Sequence, residues 1–348
     1  MGQKPFIFMP SQSLDFIVSN IDDFLKDNPN EKATVMLLES SKALKEIFEN
    51  RKIRGYTFSY VQKNEDFGVF NIYKKDAKIE NIIIKIPNSN LFLFLNFDNL
   101  KVMRWISSFF LRLYSDFSKL AFTSDELKSL LMNIKGEITS RKVIYKKIVR
   151  TPDKEKVNFG KETEIIYTNE DFLKSFESAL KDNKFIDKID LELKREHSTI
   201  KSYFSREGIF RFSGCFSIFL KSLINEQIKK LGSKKIDFLE KHIAKKFDGS
   251  IKSFKIKFGY PIFEKLGKNK EFISSIKSMK NTMLVVYHGN PYLHLSILDY
   301  FDGSSYDLIT IEKDSIIVNS KERSSFSSIN RLVNYIFENF AEGEITNG

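Results

Sequence analysis

Between residues 56 and 97 four apolar runs follow one another so closely that they can pair in only one way. Tyr56 to Gln62, Phe67 to Lys74, Ile79 to Ile86 and Leu91 to Phe97 are rich in β-branched and aromatic residues, and the turn-forming stretches "KNED", "KKDAK" and "PNSN" separate them. A parallel pair needs a crossover of about a dozen residues or more, so consecutive strands on such short connections pair antiparallel. Helices flank them. In "NLKVMRWISSFFLRLYSDF" the residues Val102, Trp105, Ile106, Phe109, Phe110 and Leu113 form the stripe of a core-facing helix. "TSDELKSLLMNI" opens with Thr123 three residues before Glu126, the spacing of a capping box, and sets Leu127, Leu130, Leu131 and Ile134 on one side. Upstream, "SLDFIVSNIDDFL" and "SSKALKEIFENRK" also read as helices. Residues 1–135 are therefore expected to form an antiparallel sheet covered by helices.

The same order returns in two further segments. Across 136–250, "GEITSRKVIYKKIVR" reads as extended and leads into a charged loop at 151–162. A helix at "NEDFLKSFESALKDN", strands at "KFIDKIDLELKRE", "TIKSYFS" and "EGIFRFSG", and the helix "FSIFLKSLINEQIKKLG" follow. Across 251–348 a helix at 270–280 precedes strands at 282–288, 292–300, 305–311 and 315–318, and a closing helix aligns Phe326, Ile329, Leu332, Val333, Ile336 and Phe340. The expected class is α+β, with two or three units of mainly antiparallel sheet flanked by helices. By element order only, the arrangement loosely resembles TATA-binding-protein-like and helix-grip sheets. Residue identity does not repeat, so the recurrence describes architecture and not duplication.

A chain of 348 residues exceeds what a single core usually organises, which supports more than one unit. No run of about 18 uncharged apolar residues is present, and Met1 to Phe8 lacks the long apolar segment of a signal peptide, so the expectation is a soluble cytoplasmic protein without membrane contact. Cys215 is the single cysteine, which leaves no internal disulfide and no cysteine-based zinc site. No Walker-type loop, His-Glu-x-x-His helix or Gly-x-Ser-x-Gly elbow occurs, and neither cofactor nor metal is expected.

Net charge is +11, and its layout is uneven. Residues 228–280 hold 15 lysines against five acidic residues, a formal +10, whereas 299–348 carry four basic and nine acidic residues, a formal −5. Within the basic segment Lys229, Lys230, Lys234, Lys235, Lys245, Lys246, Lys255 and Lys257 interleave with Phe238, Phe247, Phe254, Phe258, Tyr260 and Phe263. In "KSFKIKF" the alternation sends Phe254, Ile256 and Phe258 to one side and Ser253, Lys255 and Lys257 to the other, a packed face and a cationic face. A second basic run, Arg141, Lys142, Lys146 and Lys147, lies in the extended segment. These residues suit phosphate contacts without base reading. The excess of 45 lysines over 11 arginines, beside abundant Phe, Ile and Asn, is also what an AT-rich genome produces without any ligand.

Three motifs bear on catalysis. Glu192-x-Lys194 has the spacing of restriction-type nucleases, in which a carboxylate holds Mg²⁺ and a lysine on the same strand face stabilises the attacked phosphate, with Asp171 or Asp182 as a further ligand. Its bland counterpart is an amphipathic strand with Ile189, Leu191 and Leu193 inward. Cys215 begins a helix, where a thiol can become nucleophilic, although a lone cysteine is more often a small core residue. "YHGNPYLHLSILDYFDGSSYD" gathers His288, His294, Asp299, Asp302 and Asp307, yet "GNP" and "DG" are turn signals and Leu293, Leu295 and Ile297 alternate as a core-facing strand. The residues thus point first to a non-catalytic nucleic-acid-binding protein, or to the nucleic-acid-facing subunit of a larger assembly. The alternative is a protein-interaction scaffold or oligomerising subunit. A metal-dependent nuclease using Glu192 and Lys194 stands third.

Overall fold

The structure is a computed structural model that describes residues 13–40, 57–62, 67–74, 77–97, 100–113, 117–134, 137–149, 158–159, 163–166, 184–195, 198–243, 252–265, 267–321 and 323–347. Helices combine with two antiparallel sheets, so the class is α+β. The chain clusters into two compact units, one comprising Met1–Tyr145, Thr163–Asp182 and Ile186–Lys234, the other Lys146–Glu162, Asn183–Phe185 and Lys235–Gly348.

The larger sheet draws on strands β1 (Ala33–Glu39), β2 (Thr57–Gln62), β3 (Phe67–Lys74), β4 (Ala77–Lys85), β5 (Leu91–Asn96), β6 (Ser118–Lys119), β7 (Glu137–Val149), β8 (Asn158–Phe159), β9 (Thr163–Ile166), β10 (Lys184–Arg195), β11 (Ser198–Ser205) and β12 (Ile209–Ser213). Their order is β2-β3-β4-β5-β1-β12-β11-β10-β7-β8, with β6 on β1 and β9 on β7. The four clustered apolar runs form the antiparallel meander that short turns demand. At its end lies β1, which antiparallel pairs join to β5 on one side and to β12 on the other, Met36 meeting Ile209. Every residue of β1 is buried, Thr34 and Glu39 included, and its apolar stretch Val35–Leu38 is continuous and carries no alternation. Met36, Leu38, Phe70, Ile83, Phe92 and Phe94 pack with Met103 and Ile106 of the Leu100–Leu113 helix, and Trp105 and Val102 lie against this core.

Thr123 caps the Ser124–Asn133 helix as its spacing requires: its hydroxyl accepts from Glu126 N at 3.2 Å and Glu126 Oε2 accepts from Thr123 N at 2.7 Å. A long helical run starts at Phe216, passes through a π-helical stretch at Leu220–Ile228 and continues as Lys229–Lys241, within which the division between the units falls. Phe219 stacks on Phe212 at 4.2 Å between centroids, which fixes the start of this run on β12. The helices expected at 40–52 and 169–183 lie, apart from Ser40, outside the described residues.

The smaller sheet orders β13 (Lys252–Phe258), β14 (Thr282–His288), β15 (His294–Asp299), β16 (Ser304–Ile309), β17 (Ser315–Ser320) and β18 (Gly343–Asn347) as β14-β15-β16-β17-β13-β18. Phe254, Ile256 and Phe258 are buried, as are Leu293, Leu295 and Ile297, which matches the alternation in the sequence. Phe258, Phe263, Phe272 and Phe340 make a ring cluster with centroids 4.8–6.0 Å apart. Phe254, Phe258 and Phe263 of the basic segment thus join the core with the Lys268–Lys277 and Phe326–Asn339 helices, whereas Tyr260 is exposed and Phe247 lies outside the described residues.

Candidate interaction surfaces

The histidine-rich stretch folds into the hairpin of β14 and β15 followed by β16. The "GNP" turn carries a cis Asn290–Pro291 bond, and in the "DG" turn Asp302 accepts from Ser304 N at 2.9 Å. Period-2 geometry separates the polar residues. Asp299 turns inward and is buried, where it accepts from Phe301 N and Ser328 Oγ, both at 2.9 Å, and pairs with Arg331. His294, Ser296 and Asp307 take the opposite face: Lys321 bridges Asp307 at 2.7 Å and donates to Ser296 Oγ at 3.1 Å, and His294 Nε2 lies 3.9 Å from Asp307. His288 stands opposite His294 at the end of the ladder, with ring centroids 6.5 Å apart. Among the described residues no group of three or more His, Cys, Asp or Glu side chains could hold a metal.

What distinguishes this stretch is apolar exposure. Strand β14 lies at the edge of its sheet, and the described ladders pair it with β15 alone. Met283, Val285, Val286 and Tyr287 are 38–54% exposed, and Leu298, Tyr292 and Tyr300 extend the apolar surface next to them. Natural edge strands are commonly blunted by lysine, proline or an inward charge. Between Thr282 and Tyr287 this one has none of these, and only the bulge between Val286 and His288 interrupts it.

The lysines divide into two groups. Lys229 donates to the Pro87 carbonyl, Lys235 to Asn334 Oδ1 at 3.0 Å, and Lys255 pairs with Glu312 at 2.9 Å. Lys257 is exposed but stands directly across the ladder from Glu344, so the cationic face of β13 is opposed by acidic residues. Lys230, Lys234 and Lys241 are exposed on one stripe of the Lys229–Lys241 helix, interrupted by Asp237. Lys230 and Lys234 also line an open cleft of about 530 Å³ with Ser129, Asn133, Glu226 and Gln227. Lys142 lies near Asp190, whose carboxyl burial pushes up while Lys142, Lys188 and Lys32 pull it down. Arg141, Lys146 and Lys147 belong to β7, but their side chains, and all of Lys245 and Lys246, lie outside the described residues.

Glu192 and Lys194 share a face of β10, and Glu192 meets the cross-strand Lys201 at 3.5 Å. Asp171 and Asp182 lie outside the described residues. Cys215 precedes the helix at Phe216, its Sγ 3.0 Å from Ser217 Oγ. The Asp22 carboxylate accepts from Phe216 N and Ser217 N, so the electropositive helix end that would favour a thiolate already holds an anion.

No described helix is long and apolar enough to cross a membrane. Compared with protein-family models and with curated proteins, the chain matches none.

Proposed function

We propose that this chain is a protein-interaction subunit whose smaller sheet accepts an extended strand along β14. The uncharged, apolar edge of β14 carries the reading: its outer backbone groups offer a ladder, and alternate side chains on each face offer contact area, the physical basis of strand addition. Binding of a fluorescent, end-capped heptapeptide with the sequence of residues 282–288 tests it. Saturable binding to the wild-type chain that is lost in Val285→Lys supports strand addition, and equal binding to both removes it.

A second reading is favoured by Lys230 and Lys234, exposed one helical turn apart with no ion pair to another described residue. Two such neighbouring ammonium groups suit phosphate contacts without sequence reading. Fluorescence anisotropy with duplex DNA, single strands and RNA over a salt series tests it. Lys230→Glu with Lys234→Glu should flatten the log–log salt slope on duplex DNA by about 2, and an unchanged slope counts against it.

A further inference from the structure

We infer that the occupant of the β14 edge is β14 of a second copy of this chain, paired antiparallel about a two-fold axis at Val285; the inference rests on the docking reading above. Backbone geometry sets the register. Tyr300 N donates to Asn281 O at 2.9 Å, and the same ladder places Thr282 opposite Asp299 and Val285 opposite Ser296. Antiparallel ladders alternate, so Asn281, Met283 and Val285 direct their amides and carbonyls at β15, while Thr282, Leu284 and Val286 direct theirs outward. A partner strand must meet those three residues.

About an axis at Val285, Leu284 exchanges hydrogen bonds with Val286 of the copy, and Val286 with its Leu284. Val285 then faces Val285, and Met283 faces Tyr287. Every side chain so paired is apolar, and no charge meets its own copy. Lys277 and Lys280 precede the paired strand. A strongly charged partner strand would instead lay its charges against Met283, Val285 and Tyr287 without a counterion, at a desolvation cost. The bulge between Val286 and His288 ends the ladder, so pairing is short. An isologous contact also uses the edge of both copies at once and therefore closes as a dimer. A strand-to-strand interface of this length falls at the weak end of the range, below about 1,200 Å² in total, so the dimer should dissociate on dilution.

Sedimentation velocity of the full chain across a micromolar concentration series should show a monomer–dimer equilibrium. Val285→Lys should shift it to monomer while far-UV circular dichroism is unchanged. In a Cys215→Ser background, Val285→Cys should form a disulfide-linked dimer on mild oxidation, because facing non-hydrogen-bonded residues place their Cα atoms about 4.5 Å apart, within disulfide reach. Met283→Cys should not, since the two copies of residue 283 are then about 13 Å apart along the strands. A chain that stays monomeric at every concentration and does not cross-link at 285, or a dimer that survives Val285→Lys or cross-links through 283, overturns the inference. In the monomeric case the labelled heptapeptide separates the two failures: if it still binds, the docking reading stands with a different occupant, and if it does not, both fall.

Discussion

Replacing the buried Asp299 with Ala should destabilise the unit that holds the smaller sheet. The Asp299 side chain is 3% exposed, and it accepts from Phe301 N, from Ser328 Oγ and from the Arg331 guanidinium, which also lies 4.7 Å over the Phe301 ring. Truncation leaves a largely buried cation and two donors without their acceptor. Breaking a buried pair by removing one partner costs about 3–5 kcal/mol. With a urea dependence of roughly 1.5 kcal/mol/M for a unit of this size, the midpoint should fall by about 2–3 M. The single tryptophan, Trp105, packs against the core of the larger sheet, so its fluorescence reports on that sheet and a separate probe is needed for the smaller one. Hydrogen exchange of peptides covering β15, β16 and the Phe326–Asn339 helix against urea reads the loss directly. Asp299→Leu with Arg331→Met should regain a large part of it, because a hydrophobic pair of similar volume replaces a buried ion pair at little cost. A loss under about 1 kcal/mol would refute this account of the pair.

Further outcomes follow from local geometry. Gly208→Ala should destabilise the larger unit by about 2 kcal/mol or more in urea titrations followed by Trp105, because φ is +70° and an added Cβ would sit 2.1 Å from the Leu120 carbonyl oxygen. Thr123→Ala should cost about 1 kcal/mol in the same assay through loss of the capping box, and Thr123→Ser should restore most of it. Burial raises the phenols of Tyr60 and Tyr203 to about 12; at Tyr203 the carboxylates of Asp187, Asp190 and Glu207 add to the rise and Arg104 opposes it. Both groups bind their proton more tightly when folded, so the stability they contribute is complete below about pH 10 and is lost as pH rises towards 12. Burial also raises the phenol of Tyr306, so absorbance at 295 nm should show at least three phenols ionising later in native than in unfolded protein, and coincident titration curves would contradict the burial.

Local sequence was enough to place most elements. Four runs on short turns imposed an antiparallel meander, Thr123 and Glu126 announced a helix start, and alternation assigned Leu293, Leu295 and Ile297, and likewise Phe254, Ile256 and Phe258, to a buried face. Such signals are carried within a few residues of the chain. Strand β1 gave none, because burial on both faces erases the period-2 pattern, and its partner β12 lies far along the chain. The closing strand β18 was equally silent, since "GEITN" becomes a strand only where β13 offers an open ladder. Lysine spacing suggested a cationic surface, but the partners that engage Lys235 and Lys255 stand 99 and 57 residues away, a separation no local pattern reports. The docking edge shows the same limit most plainly. "TMLVVYH" has the composition of a strand buried on both faces, and only the order of the sheet, with β14 outermost, leaves those side chains in water.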